Sequence, residues 1–283
     1  MSTTRTAPAA AGRALDARVP ALERIPGWVL ITISLAALVG IWQLVVSAGL
    51  VSEFVLPTPG DTASALVDLS KDLASGGQAW DNFLVTVQET LVGLLLAAVI
   101  GVALGVVIAE TVFGRKVIQP LMIALYAAPK VALAPLFVTW FGFGLTPKVV
   151  MAATIAFFPV MVDTAAGLAG VDEDQDKLFL VTKANRVQRF WKLKLPTALP
   201  FIFAGLKSAA VLSIIGAIVA EFMGGGEGLG VMVKTASVSF ALDRVFALIV
   251  LLSVLAFLIY LAVDLVERKV VHWRASGFLP AES

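Results

Sequence analysis

The 283-residue chain contains no cysteine and a single histidine, His272, and only 14% of its residues are charged. Without cysteine there can be no disulfide, thiolate metal site or cysteine nucleophile. One histidine cannot build a histidine cluster around a metal. Lys and Arg exceed Asp and Glu by one, 21 against 20, so the basic excess that marks a nucleic-acid-binding face is missing. No Gly-Lys-Ser or Gly-Lys-Thr occurs, and the glycine-rich stretch Gly224-Gly225-Gly226-Glu227-Gly228 carries no lysine. The chain therefore has no P-loop of its own for a nucleotide. A clustered set of His, Asp or Glu, as a membrane-embedded enzyme would need, is also absent.

What the sequence has in abundance is apolar length. Hydrophobic residues make up 59% of the chain, and the mean hydropathy is +0.94. Soluble domains carry about 25% charged residues, and a chain this apolar cannot cover itself with polar surface. A membrane helix needs about 20 mainly apolar residues. Six stretches qualify, at about 28–48, 83–109, 118–141, 149–168, 199–222 and 245–266. Pro129 and Pro135 interrupt the third and Pro159 lies inside the fourth, and proline displaces helix boundaries. The first run is too long for the apolar part of a signal peptide, and it reads as a retained span behind a tail of residues 1–27. The expected fold is all-α and polytopic, with a membrane domain over 28–267 and a short tail over 268–283.

Basic residues set the expected orientation. The segments outside the spans fall into two alternating sets. The set holding both termini carries fifteen Lys and Arg; the other has Lys71, Lys148, Lys234 and Arg244. Both termini are therefore expected in the cytoplasm. On the opposite side, Leu56-Pro57-Thr58-Pro59-Gly60 followed by Asp61 or Thr62 as N-cap predicts a short helix over 63–73.

The cytoplasmic segment 172–198 is too polar to span. Lys177–Lys194 reads as one amphipathic helix, with Leu180, Ala184, Val187 and Trp191 along one stripe. Asp172, Glu173, Asp174 and Asp176 precede it, where a helix N-terminus favours negative charge, and Lys192 and Lys194 close it. Pro196 is expected to stop it and Pro200 to open the fifth span. Periodicity alone leaves two readings open: a helix lying on anionic lipid, or a helix docking in a groove of a cytoplasmic partner.

The same segment resembles the cytoplasmic "EAA" loop of ABC importer permeases: Glu-Ala-Ala, three residues, Gly, nine residues, Ile, one residue, Leu-Pro. Anchored on Leu195-Pro196, the isoleucine position is Leu193, the glycine position is Lys183, and Glu-Ala-Ala falls on Lys177, Leu178 and Phe179. The Leu-Pro end is kept; the Glu-Ala-Ala and glycine positions are not. Further blocks are similar to the nitrate/sulfonate/taurine-type branch, in its order: Pro57-Thr58-Pro59, Ala128-Pro129-Lys130, Ala134-Pro135-Leu136-Phe137, Trp140-Phe141-Gly142-Phe143-Gly144, Phe157-Phe158-Pro159 and Gly228-Leu229-Gly230. Phe190–Pro196 and Ile214–Phe222 look closest to permeases of thiamine-pyrimidine and riboflavin uptake.

The resemblance implies a type I importer permease in a bacterial inner membrane, with no cofactor on this chain. ATP and magnesium would belong to ATPase subunits docking on Leu178, Phe179, Lys183, Ala184, Asn185, Arg186, Val187, Leu195 and Pro196. A solute-binding protein would deliver a small organic solute, and a second permease copy would complete the pathway. Gln88, Glu89, Lys130 and Glu221 are candidates to line it, since ionisable groups inside spans mark functional sites by default. Asp163 is weighed beside them as an interfacial residue. Gly93, Gly101 and Gly105 are spaced for close helix packing. The rival reading is an ATP-independent secondary transporter or channel, which would need polar relays within several spans.

Overall fold

In the computed structural model, residues 26–52 and 55–273 are described, and nearly all of them lie in helices or short turns. The first unit of the chain runs to Pro59. It contains α1 (Gly27–Ser47), an apolar helix followed by a turn in which the Trp42 indole N–H donates to the Pro57 carbonyl at 3.0 Å.

The second unit, from Gly60 onward, holds α2 (Pro59–Ala74), α3 (Gln78–Glu110), α6 (Leu145–Ala169), α9 (Leu195–Gly224), α10 (Leu229–Val238) and α11 (Leu242–Val270). Between α3 and α6 lie two shorter pieces. The first, α4, is Gly114–Ala127, opening with a π-helical turn. The second, α5, is Ala134–Phe141 behind a 3-10 turn at Lys130–Leu133. The polar connection to α9 contains α7 (Glu173–Val181) and the single turn α8 (Arg186–Arg189).

Helix α6 is the centre of the packing, with α3 on one side and α9 on the other. Small residues make this possible. A Cβ built on Gly93 would lie 2.5 Å from the Ala152 Cβ, one on Gly101 2.7 Å from the Val160 Cβ, and one on Gly105 2.6 Å from the Thr164 Cβ. The same two α6 residues are approached from α9: a Cβ on Gly216 would meet the Ala152 Cα at 2.6 Å and one on Gly205 the Val160 Cα at 2.9 Å. Lipid tails give helices no hydrophobic reason to associate, so close backbone approach supplies dispersion contact instead. Outside this seam large apolar side chains such as Leu95, Val99, Ile123 and Phe257 stay exposed, as a hydrocarbon surround requires.

The register carries a topological consequence. Gly93, Gly101 and Gly105 meet Ala152, Val160 and Thr164 in ascending order on both helices, so α3 and α6 run parallel. A chain that leaves α3 and re-enters parallel to it must cross back in between. Residues 114–141 are thus a crossing, bent by 85° at its break, and not a re-entrant loop. Together with five long apolar helices this makes six spans among the described residues, as the hydropathy indicates.

Three local expectations change. The segment Lys177–Lys194 is not one helix: Lys183 has φ +56, which ends α7, and Asn185 starts a new helix with a capping box to Gln188. The stripe Leu180–Trp191 is therefore not one helical face. Pro196 does not stop a helix either. The π-helical turn Phe190–Lys194 runs directly into α9, and Pro196 lies at that junction without ending the helix. The short helix after the proline turn starts at Pro59, before 63. The tails 1–25 and 274–283 lie outside the described residues.

Candidate functional site

Three polar features among the described residues hold the side chains expected at the site. The first is a buried knot where α3 and α6 begin and α9 ends. Lys148, in the first turns of α6, donates to Glu89 Oε1 of α3 and to the Glu227 carbonyl, each at 2.7 Å. Both side chains of this ion pair are nearly sealed from solvent, at 5% and 1% exposure. Glu221, at the end of α9, is fully buried and accepts from the Thr86 hydroxyl at 2.6 Å and from the Gly230 N–H. The Gly228 N–H donates to Asn82 Oδ1, and the Leu229 N–H to Thr86 Oγ1 at 2.8 Å.

These bonds explain the glycine-rich loop. Helix α10 starts at Leu229 with N–H groups that need acceptors, and its negative end-partner is the Glu221 carboxylate rather than a bound anion. A Cβ on Gly228 would stand 2.1 Å from Glu221 Oε1, and its φ of +123 is open only to glycine. Beside the knot lies a cavity of about 540 Å³, lined among others by Gln88, Glu89, Phe143, Lys148 and Glu227. Of the residues expected along the pathway, Gln88 and Glu89 thus border a cavity, whereas Glu221 sits inside the packing. Lys148 was expected in an external loop. Its partnership with Glu89, 59 residues away, leaves no local trace in the sequence.

The second feature is the break in the α4–α5 crossing. Lys130 follows Pro129 there, with its ammonium 3.7 Å from the centre of the Tyr126 ring and 5.7 Å from that of Phe158. Those two rings stack at 3.7 Å. Asp163 is half-buried on α6, near Gly205 of α9.

The third feature is the polar segment at the opposite end of α6 and α9. Asp172 caps α7 by accepting from the Asp174 and Gln175 N–H groups, each at 3.0 Å. The Arg189 guanidinium donates to both oxygens of Asp176, tying α7 to α8 across the turn at Lys183. This fork holds the Asp176 carboxyl below its ordinary range and raises Arg189. Lys194 reaches Glu110 at the end of α3 at 2.7 Å. On this fixed polar frame Leu178, Val181, Val187 and Trp191 are exposed by 61%, 80%, 65% and 62%. Lys183, Asn185 and Arg186 are exposed with them, while Phe179, Ala184, Leu195 and Pro196 are half-buried.

Residues 84–272 match the family described as the binding-protein-dependent transport system inner membrane component. The chain belongs to this family of ABC importer permeases. A relative named for aliphatic sulfonates transport, the permease protein SsuC of Bacillus subtilis, is 32% identical over 88% of this chain and 89% of its own. The riboflavin transport system permease RibX of Chloroflexus aurantiacus is 32% identical over 92% and 96%. Further relatives are named for formylaminopyrimidine, taurine and nitrate, which places the permease in the nitrate/sulfonate/taurine-type branch. The fold is shared with an inward-facing structure of the MetNI methionine ABC transporter, at TM-score 0.55 and 20% identity over 66% of the permease and 93% of that chain. The permease is thus a multi-pass inner-membrane component of an importer for small solutes, and its family works with an ATPase and a solute-binding protein.

Proposed function

We propose that the permease forms half of a homodimeric pathway for a small organic solute, with both termini cytoplasmic and an ATPase docked on residues 173–194. The observation that carries this is the pairing of exposed apolar side chains with a rigid polar frame at one end of the bundle. Leu178, Val181, Val187 and Trp191 stand out, while the Asp172 cap, the Asp176–Arg189 fork and the Asn185–Gln188 capping box hold the turns under them. A helix lying on lipid would turn one continuous apolar face to the membrane; two short pieces joined by a turn fit a groove in a protein partner better. Lys194–Glu110 and the unbroken passage from the π-helical turn into α9 give a docked partner a stiff lever on the span.

ATP and magnesium belong to the partner ATPase in this reading, and the permease catalyses nothing itself. Its solute is of the kind named for its relatives: a sulfonate, a vitamin or vitamin precursor, or nitrate. Tagged permease purified from its native membrane is expected to bring down an ATPase subunit and a solute-binding protein. V187E should remain in the membrane but lose most of the ATPase. Full ATPase recovery by V187E would overturn the docking role, and a wild-type chain that purifies alone and transports without ATP would overturn the importer assignment.

A further inference from the structure

Lys148 in the polar knot, Arg189 and Lys194 at the Asp176 end, and Lys207 beside Asp264 and Glu267 each have a carboxylate partner. Lys130 is different. It makes no hydrogen bond or ion pair among the described residues; its contacts are the rings of Tyr126 and Phe158. Those rings are not fully enclosed: Tyr126 is 47% exposed and Phe158 partly so.

Depth makes this unusual. Phe158 stands halfway along α6, which runs from Leu145 to Ala169, so the Lys130 ammonium lies near the middle of the crossing. Snorkelling toward an interface is closed to a side chain folded against a ring at that depth. The charge also sits where the crossing is broken by 85° between Ala127 and Lys130. Broken spans at mid-depth expose unpaired backbone groups and line cavities in transporters, since irregular backbone cannot face lipid. Asp163 forms no ion pair with it among the described residues; it lies more than a turn beyond Phe158 on α6, with its Cβ beside Gly205.

We propose that Lys130, backed by Tyr126 and Phe158, is a mid-pathway site for the anionic group of the transported solute, a sulfonate, carboxylate or phosphate on a small organic body. This rests on the importer assignment and narrows its substrate class. The physics is a positive charge held at the break, which concentrates anions in a narrow water-filled passage and repels cations. The flanking rings supply apolar contact for the rest of the solute and hold the ammonium by cation–π attraction when the passage is empty.

The cysteine-free sequence allows a test that does not require the solute to be known. A single cysteine replaces Val131, which is 56% exposed beside Lys130. In native membranes it is treated with an anionic probe, 2-sulfonatoethyl methanethiosulfonate, or a cationic one, the trimethylammonioethyl analogue. With Lys130 present the anionic probe should react faster, and K130Q in the V131C background should lower the anionic-to-cationic rate ratio about tenfold, while K130R keeps it. K130C alone should react with both probes. An unchanged ratio in K130Q, or a K130C that neither probe modifies because lipid or the second copy covers it, overturns the proposal. Recovery of the ATPase by the V131C protein reports separately on the importer assignment, so the two can fail independently.

Discussion

Lys148 and Glu89 show what a single charged pair does inside this protein. Both are removed from water, and the pair meets a second carboxyl, Glu221, that acts on Glu89 electrostatically. Glu89 Oε2 is buried without a hydrogen-bond partner among the described residues. Such a pair adds little net stability over an apolar substitute, but removing one member strands the other. K148M should therefore cost about 3–5 kcal/mol, seen as a large drop in the thermal unfolding temperature of detergent-solubilised protein. The K148M/E89L double variant should recover much of that loss. If K148M unfolds at the wild-type temperature, the pair carries no structural load and Glu89 is free for another role. Glu221 is a separate case. Its carboxylate caps α10 through the Gly230 N–H, so its place at the end of an apolar span reflects a capping task that hydropathy cannot reveal.

At the scale of elements, the turn at Lys183 joins sequence and geometry. The family pattern places glycine at this position, and the backbone here takes φ +56, which glycine reaches without strain and a side-chain-bearing residue at a cost of about 1 kcal/mol. The turn is left-handed whatever residue fills it, because the Ala184 N–H bonds back to the Phe179 carbonyl at 3.0 Å and the Lys183 N–H to that of Leu180 at 3.0 Å. K183G should keep ATPase recovery and tighten the segment, read as slower tryptic cleavage at Arg186. K183V, with a β-branched side chain in the same conformation, should loosen it and lower recovery. Equal cleavage in K183G, K183V and wild type would mean the turn is not held in the free permease. The six crossings were legible from apolar length, and the packing role of Gly93, Gly101 and Gly105 from their spacing. The split of 177–194 was not, because helical periodicity persists on both sides of one left-handed residue. Neither was Lys148, because a long-range ion pair has no period. At Lys130 the sequence showed the charge and the prolines, but only the fold puts the charge at mid-depth on two rings.

At the scale of the whole chain, the parallel run of α3 and α6 fixes the two ends of the bundle by geometry alone. The knot, the glycine loop, α10 and Ser239 share one end; Glu110, Lys194 and the α7–α8 turn share the other. Helix α9 spans the distance between them, since its 30 residues rise about 45 Å against a hydrocarbon core of about 30 Å. The proposed orientation, with the α8 end in the cytoplasm, rests on the basic residues. Arg115, Lys116, Lys177, Lys183, Arg186, Arg189, Lys192, Lys194, Arg268 and Lys269 crowd the α8 end, against Lys71, Lys148, Lys234 and Arg244 at the other. In the proposed orientation the positive-inside bias agrees with the exposed apolar residues of 173–194 meeting an ATPase and the loop around α10 meeting a solute-binding protein. Single cysteines make this measurable. S239C should react with a membrane-impermeant maleimide in intact cells, and V187C only after the membrane is opened. The reverse pattern would turn the molecule over and leave the docking segment out of reach of any cytoplasmic partner. Labelling of both from outside would mean that α9 does not cross, and the parallel register of α3 and α6 would then have to be wrong as well.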